Sequence, residues 1–432
     1  MRKLQLLLLC FVLTHVHAQQ KILIRAGKLF DSEKGIFKPN IYILVEGNRI
    51  QSVQTSVPDS IKQTYQLIDL SNYCVLPGLV DAHTHLLNKE IIYPNNDLAG
   101  LDMTRQLVMD GDAYRAIYGS VKAKAYLQAG ITSVQDLGNS GEFGDIALRR
   151  AINEGLVDGP RMRCAGKGLS TQGGQIPDAI FKHQDIVSDE YRIVKSADDA
   201  VQAVRENITQ GADVIKIYAN NTPNNTMLSV DEIKAIVKEA HRYNRRVTAH
   251  ATSNTAVYNA IMGGVDCIEH GYQIDDTTIA LMAKKSVMFV PTDLDSFCIS
   301  KYWAMASPGD TSVQQIVQGN RKFLGDRLQR AIKGGVVIAA GSDDYLDLKT
   351  PFAEPSKRTL IAYYEEGVSI PMILQFATIN GSRQLNHGGK TGVIKQDYWA
   401  DIIAVDNNLD NDIHAILNVH FVMKDGKIYV NK

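Results

Sequence analysis

Eight short apolar runs recur through the middle of the chain: Leu79–His83, Thr132–Leu137, Arg161–Gly166, Asp213–Ala219, Arg246–Ala251, Cys267–Gly271, Val287–Pro291 and Val336–Gly341. Runs of that length, bounded by turn-forming residues, read as buried strands. The stretches between them carry helix signals. "SVDEIKAIVKEAHRY" opens on Ser229 with Glu232 three residues on, a capping box. "SADDAVQAVRENITQGAD" stops at Gly211, a C-terminal cap directly before the fourth run. Eight strands with helical crossovers over roughly 310 residues suit a (β/α)8 TIM barrel of the α/β class, carrying insertions. A doubly wound open sheet is the alternative, because the runs do not reveal strand order.

The chain ends have another texture. "KILIRAGKLF", "IYILVEGNRIQSVQ" and "YQLIDLSNYCVL" in residues 19–76 read as strands, as do "TGVIKQDYWADIIAVD" and "HFVMKDGKIYV" in residues 390–432, with Asp425-Gly426 as a hairpin turn. We expect one small β-sandwich built from both termini, flanking a barrel over residues 77–389. Residues 1–18 read as a secretory signal peptide: Arg2 and Lys3, an apolar run from Leu4 to Leu13, then Val16-His17-Ala18 for cleavage. An uncleaved anchor, or lipidation at Cys10, is the rival reading. The mature chain is therefore expected to be secreted or periplasmic, with no stable membrane span. Cys74, Cys164, Cys267 and Cys298 form no Cys-x-x-Cys pair and read as buried thiols, although that compartment permits a disulfide. A net charge of −1 without basic stripes argues against a nucleic-acid partner; homo-oligomerisation is left open.

In a parallel barrel, function collects at the C-terminal strand ends. The first run ends in "DAHTH", which puts His83 and His85 on one face of an extended segment. The fifth and sixth bring His250 and His270, and the eighth leads into Asp343 and Asp344. The fourth carries Lys216 in its middle, where a bare ammonium loses its hydration at a cost of several kcal/mol. Singly, such histidines are usually core residues; together, imidazoles and a carboxylate converging on one rim point to zinc or a divalent neighbour. Lys216 and Tyr218 alternate with Ile215 and Ile217 and so face the interior, where Tyr218 either packs or contacts substrate. His183, in the loop after the third run, is a substrate-facing candidate. His241 reads as solvated, and His387, His414 and His420 as structural.

"GLVDAHTH", "GITSVQDLG", "DGPRM", "GADVIKIY", "TAHA", "GVDCIEHG", "AAGSDD" and "ADIIAVD" occur in the order found in the amidohydrolase superfamily, and the chain resembles its imidazolonepropionase-like, Xaa-Pro dipeptidase-type branch. One departure is Gly173-Gly174-Gln175, where many relatives have Gly-Gly-His. The resemblance implies a binuclear centre: His83, His85 and Asp343 on one divalent ion, His250 and His270 on the other, zinc being the first choice. Lys216, converted by carbon dioxide to a carbamate, would bridge them; an unmodified lysine paired with Asp343 in a one-metal site is the rival. Asp343 is preferred to Asp344 because it comes first after Gly-Ser, as the family's aspartate does. It would act as general base, then general acid, while metal-activated hydroxide cleaves a C–N bond. The implied activity is that of a prolidase-like dipeptidase acting on a dipeptide or other small molecule. A cyclic amide, imidazolone or lactone hydrolase is the alternative, and a non-catalytic scaffold of the same fold the remote one.

Overall fold

A computed structural model describes residues 20–96, 101–176, 184–386 and 390–432. The N-terminal strands are β1 (Lys21–Asp31), β2 (Ile36–Glu46), β3 (Arg49–Gln54) and β4 (Gln66–Pro77). The central strands are β5 (Leu79–Thr84), β6 (Ile131–Asp136), β7 (Arg161–Cys164), β8 (Gly168–Ser170), β9 (Tyr191–Ile193), β10 (Val214–Tyr218), β11 (Arg246–Ala251), β12 (Cys267–His270) and β13 (Met288–Val290). Then follow β14 (Ile402–Asp406), β15 (Val419–Lys424) and β16 (Lys427–Asn431).

Both chain ends build one small β unit, with its seven strands in the order β16-β15-β14-β4-β1-β2-β3. They form a single continuous sheet. Its edge strand β3 meets the run into β14, where Ile50 N–H donates to Tyr398 O at 3.0 Å and Asp397 N–H to Ile50 O at 2.9 Å. The sheet thereby curls around a core that includes Ile22, Ile43, Ile402 and Phe421. The β15–β16 turn has Asp425 and Gly426 at φ 50° and 73°, the left-handed pair that a two-residue hairpin requires.

Apart from β9, which only extends the sheet at β8, the central strands close a parallel barrel in chain order, which removes the open-sheet alternative. β5, β6 and β7 pair in succession, as do β10, β11, β12 and β13. The third run differs from expectation. It splits into β7 and β8 around Gly166, at φ 65°, and Asp213 N–H bonds Cys164 O at 2.8 Å to join the two halves of the barrel. The eighth run is too irregular to make a strand but still closes the other seam. Ala339 N–H bonds Phe289 O at 2.9 Å on one side, and Ala82 N–H bonds Ala340 O at 2.8 Å on the other. Gly341 permits this approach, since a Cβ there would stand 2.8 Å from His83 Cβ.

The helices pack on the outside as their patterns dictate. Val230–Arg242 starts at the Ser229–Glu232 capping box and buries Ile233, Ile236, Val237 and Ala240, one face of a 3.6-residue period. Ala197–Gln210 ends at Gly211, whose φ of 105° few side chains tolerate. Among the described residues, Cys74, Cys164, Cys267 and Cys298 are buried and unpaired, and no helix is long and apolar enough to cross a membrane.

Candidate metal centre and active site

Strand register delivers the site. Lys216 stands opposite Thr248 and Tyr218 opposite His250, while His250 stands opposite Glu269. Alternation sends these side chains inward and gives Ile215, Ile217, Ala249 and Ile268 to the core between strands and helices. His270 is out of phase with Glu269 and should point outward. Its φ of 70° turns it back over the rim, and Asp343 is turned similarly at φ 52°. Left-handed backbone at non-glycine residues costs about 1–3 kcal/mol each and persists only where the surroundings enforce it. Here Asp343 N–H bonds His83 O at 2.8 Å and Gly271 N–H bonds Ala251 O at 3.0 Å. Arg327 donates to the His270 carbonyl and to the Asp293 carboxylate.

Arg327 and Asp293 are both fully buried. Arg327→Ala strands an unpaired carboxylate and frees the His270 turn. We expect a loss of about 3–5 kcal/mol, read as a lower denaturant midpoint; an unchanged midpoint would show that the pair does not hold this wall.

Three donor atoms meet at the centre. His83 Nε2 lies 3.3 Å from His85 Nε2 and 3.4 Å from Asp343 Oδ1, and His85 Nε2 lies 3.1 Å from Asp343 Oδ1. Ligands bonded to zinc at about 2.0–2.1 Å in a tetrahedron stand ~3.3 Å apart, so this triangle fits one face of a coordination sphere. The opposite ring nitrogens are held from behind, with His85 Nδ1 at 2.8 Å from Gly138 O and His83 Nδ1 at 2.8 Å from Glu269 Oε2. His270 also has a ligating atom within 4.8 Å of those of His83 and Asp343. The rings of His250 and His270 are 4.6 Å apart at their centroids. His250 is less converged, its Nε2 lying 3.2 Å from Thr222 Oγ1.

Lys216 is buried beneath this group. Its Nζ lies 5.3 Å from the Tyr218 ring centre and makes no hydrogen bond or ion pair among the described residues. Burial lowers its pKa, against the pull of Glu269 and Asp343. Burial also holds His83, His250 and His270 well below the usual imidazole range, with Lys216 adding to it, which leaves the neutral rings a metal requires. The Asp343 carboxyl is raised by burial, but His83, His85 and Lys216 outweigh that and hold it below its ordinary value.

The six residues line one cavity of about 490 Å³, together with Tyr218, Tyr272 and Tyr345. Asp344 turns away, accepting from Tyr126 Oη at 2.7 Å beside the Lys122 ammonium. Gln175 is occupied in bridging loops, donating to Asn220 O at 3.1 Å and accepting from Thr222 N–H at 3.0 Å. Tyr218 Oη reaches Asn139 Oδ1 at 3.3 Å. His183 and His387 lie outside the described residues. His241, His414 and His420 pair with Asp266, Asp412 and Asp406 away from the cavity. Sequence reasoning missed Glu269, which is fully buried, with one carboxylate oxygen on His83 and the other on Thr248. Burial pushes its pKa up to about 7, against the opposing pull of Lys216. The signal was available: an acid inside a buried strand is as anomalous as Lys216.

A sequence model of the amidohydrolase family matches residues 74–429. An ochratoxinase from Aspergillus niger is 28% identical over 384 residues, which cover 82% of this chain and 75% of the relative. A solved Xaa-Pro dipeptidase with methionine in its active site superposes with a TM-score of 0.80 at 29% identity, over 95% of this chain and 100% of the other. A prolidase complexed with N-methylphosphonate-L-proline gives a TM-score of 0.79 at 28% identity, over 96% of this chain and 100% of that one.

Proposed function

Because this chain belongs to the amidohydrolase family and is a hydrolase of carbon–nitrogen bonds, we propose that it is an exported, binuclear dipeptidase that releases the C-terminal residue of Xaa-Pro-like dipeptides. One observation carries the metal-centre part of this reading: the 3.1–3.4 Å triangle of His83, His85 and Asp343 donor atoms above a buried lysine. His83, His85 and Asp343 would hold one ion and His250 and His270 the other, and Lys216, as a carbamate, would supply anionic oxygen ligands. When bound, the ions supply a water acidified toward neutrality and a Lewis acid at the scissile carbonyl.

The chain's own groups do the rest. Asp343 takes the proton of the attacking water and passes it to the departing nitrogen. The Tyr218 phenol, made less acidic by burial, stays a neutral donor for the oxyanion or the substrate carboxylate. A cavity of about 490 Å³ suits a dipeptide, small-molecule sites spanning roughly 300–1,000 Å³. The similarity to solved prolidases favours Xaa-Pro substrates, while the similarity to an ochratoxinase keeps other amides in the comparison. Arg2, Lys3 and the apolar run after them support export.

The test loads chelator-stripped protein with zinc, cobalt or manganese and assays an Xaa-Pro panel against other dipeptides, lactams and lactones. Metal-dependent turnover highest on Xaa-Pro is the expected result. Binding of no metal after supplementation would remove the centre, and turnover of lactams or lactones alone would move the substrate class.

A further inference from the structure

Glu269 has no part in the ligand set above, yet it lies at the floor of the site. It is fully buried on β12, on the inward face, one residue before His270. One oxygen stands 2.8 Å from His83 Nδ1, and the other accepts from the Thr248 hydroxyl, on the neighbouring strand opposite Lys216. When Glu269 is ionised its oxygens can only accept, so Nδ1 of His83 then carries the hydrogen and Nε2 presents its lone pair. That lone pair points into the triangle with His85 Nε2 and Asp343 Oδ1. Thr248 in turn fixes the carboxylate plane, so strands β11, β12 and β5 are locked in one orientation through three side chains.

We infer that Glu269 is a positioning residue that sets the tautomer and ring angle of His83, and that it acts as a hydrogen-bond acceptor rather than as a counter-charge for Lys216. The inference rests on the metal-centre reading above. An acceptor behind a ligating histidine raises its basicity and removes rotational freedom, and loss of such partners lowers metal affinity by about 10–100-fold. A counter-charge would act through its net charge alone, whichever atom faced His83.

The two roles separate in variants read by metal binding. Cobalt(II) affinity is measured by competition with a chromophoric chelator, and the visible cobalt spectrum reports ligand geometry. Glu269→Gln drops the charge but keeps an oxygen that accepts from Nδ1–H, with the Thr248 hydroxyl turning to accept from the new amide. It is expected to stay within a few-fold of the parent. Glu269→Met removes the acceptor at similar volume and is expected to lose about 10–100-fold with an altered spectrum. Glu269→Asp keeps the charge but withdraws it by one methylene, so it is expected to behave like Met; it serves if the Met variant does not fold. Equal losses in Gln and Met with Asp retained would make Glu269 a counter-charge and overturn the inference. Unchanged affinity in all three would also overturn it. A parent protein that binds no cobalt instead removes the metal centre itself, an outcome seen before any variant is compared.

Discussion

Asp343→Asn is expected to lower turnover by ~10²–10⁴-fold, the range contributed by a positioned general acid–base group, while much of the metal stays bound. The amide oxygen can still occupy the corner 3.1 Å from His85 Nε2 and 3.4 Å from His83 Nε2. It cannot take the proton of water or return it to the leaving nitrogen. The acid side of the rate profile should change with it. In the parent, activity falls as the ionised base is protonated on lowering pH; in the variant that limb should vanish from the residual rate. Steady-state assays at matched metal content decide this. An asparagine variant with parental turnover and an intact acidic limb would place the base elsewhere. Asp344 is a poor substitute, because its carboxylate is tied to Tyr126 Oη at 2.7 Å on the far side of the turn.

Much of this site was legible because strand alternation translates directly into direction. His83 and His85 are two apart on an extended segment, and Lys216 and Tyr218 share the inward face of β10. Other features depend on backbone that no period encodes. By alternation His270 belongs outside; its left-handed turn, tied by Arg327, brings it in. The eighth run reads as a strand because it is apolar, but its hydrogen bonds go to β13 and β5 without a regular ladder. The third run breaks at Gly166, a residue whose φ of 65° a pattern of apolar residues does not reveal. Glu269 was absorbed into the motif around His270, although its inward position followed from the same alternation that placed Lys216.

Lys216→Ala and Lys216→Arg are expected to fail alike, each losing at least ~10²-fold, the scale of removing one preorganised electrostatic element. The reason lies in what surrounds Nζ. It is buried, without a hydrogen bond or ion pair among the described residues, and below three imidazoles held neutral. Burial lowers its pKa and so favours the neutral amine. A neutral amine can attack carbon dioxide: an N–C bond forms as one C=O π pair moves onto oxygen, an N–H proton passes to water, and the amine becomes an anionic carbamate whose oxygens would serve as metal ligands. If that carbamate is the working form, arginine restores the charge but none of the oxygens. The alanine variant would then leave space for a small anion beside the proposed pair of cations, so formate, acetate or propionate should return part of the activity and the metal content. An unmodified lysine gives the opposite pattern: arginine partly tolerated, small amines better than carboxylates, and metal loading indifferent to bicarbonate. Activity, metals per chain and the mass of Lys216-containing peptides under bicarbonate are measured together. Full activity with one metal per chain, and no carboxylate rescue of Lys216→Ala, would replace the bridged pair by a single-metal site built on His83, His85 and Asp343.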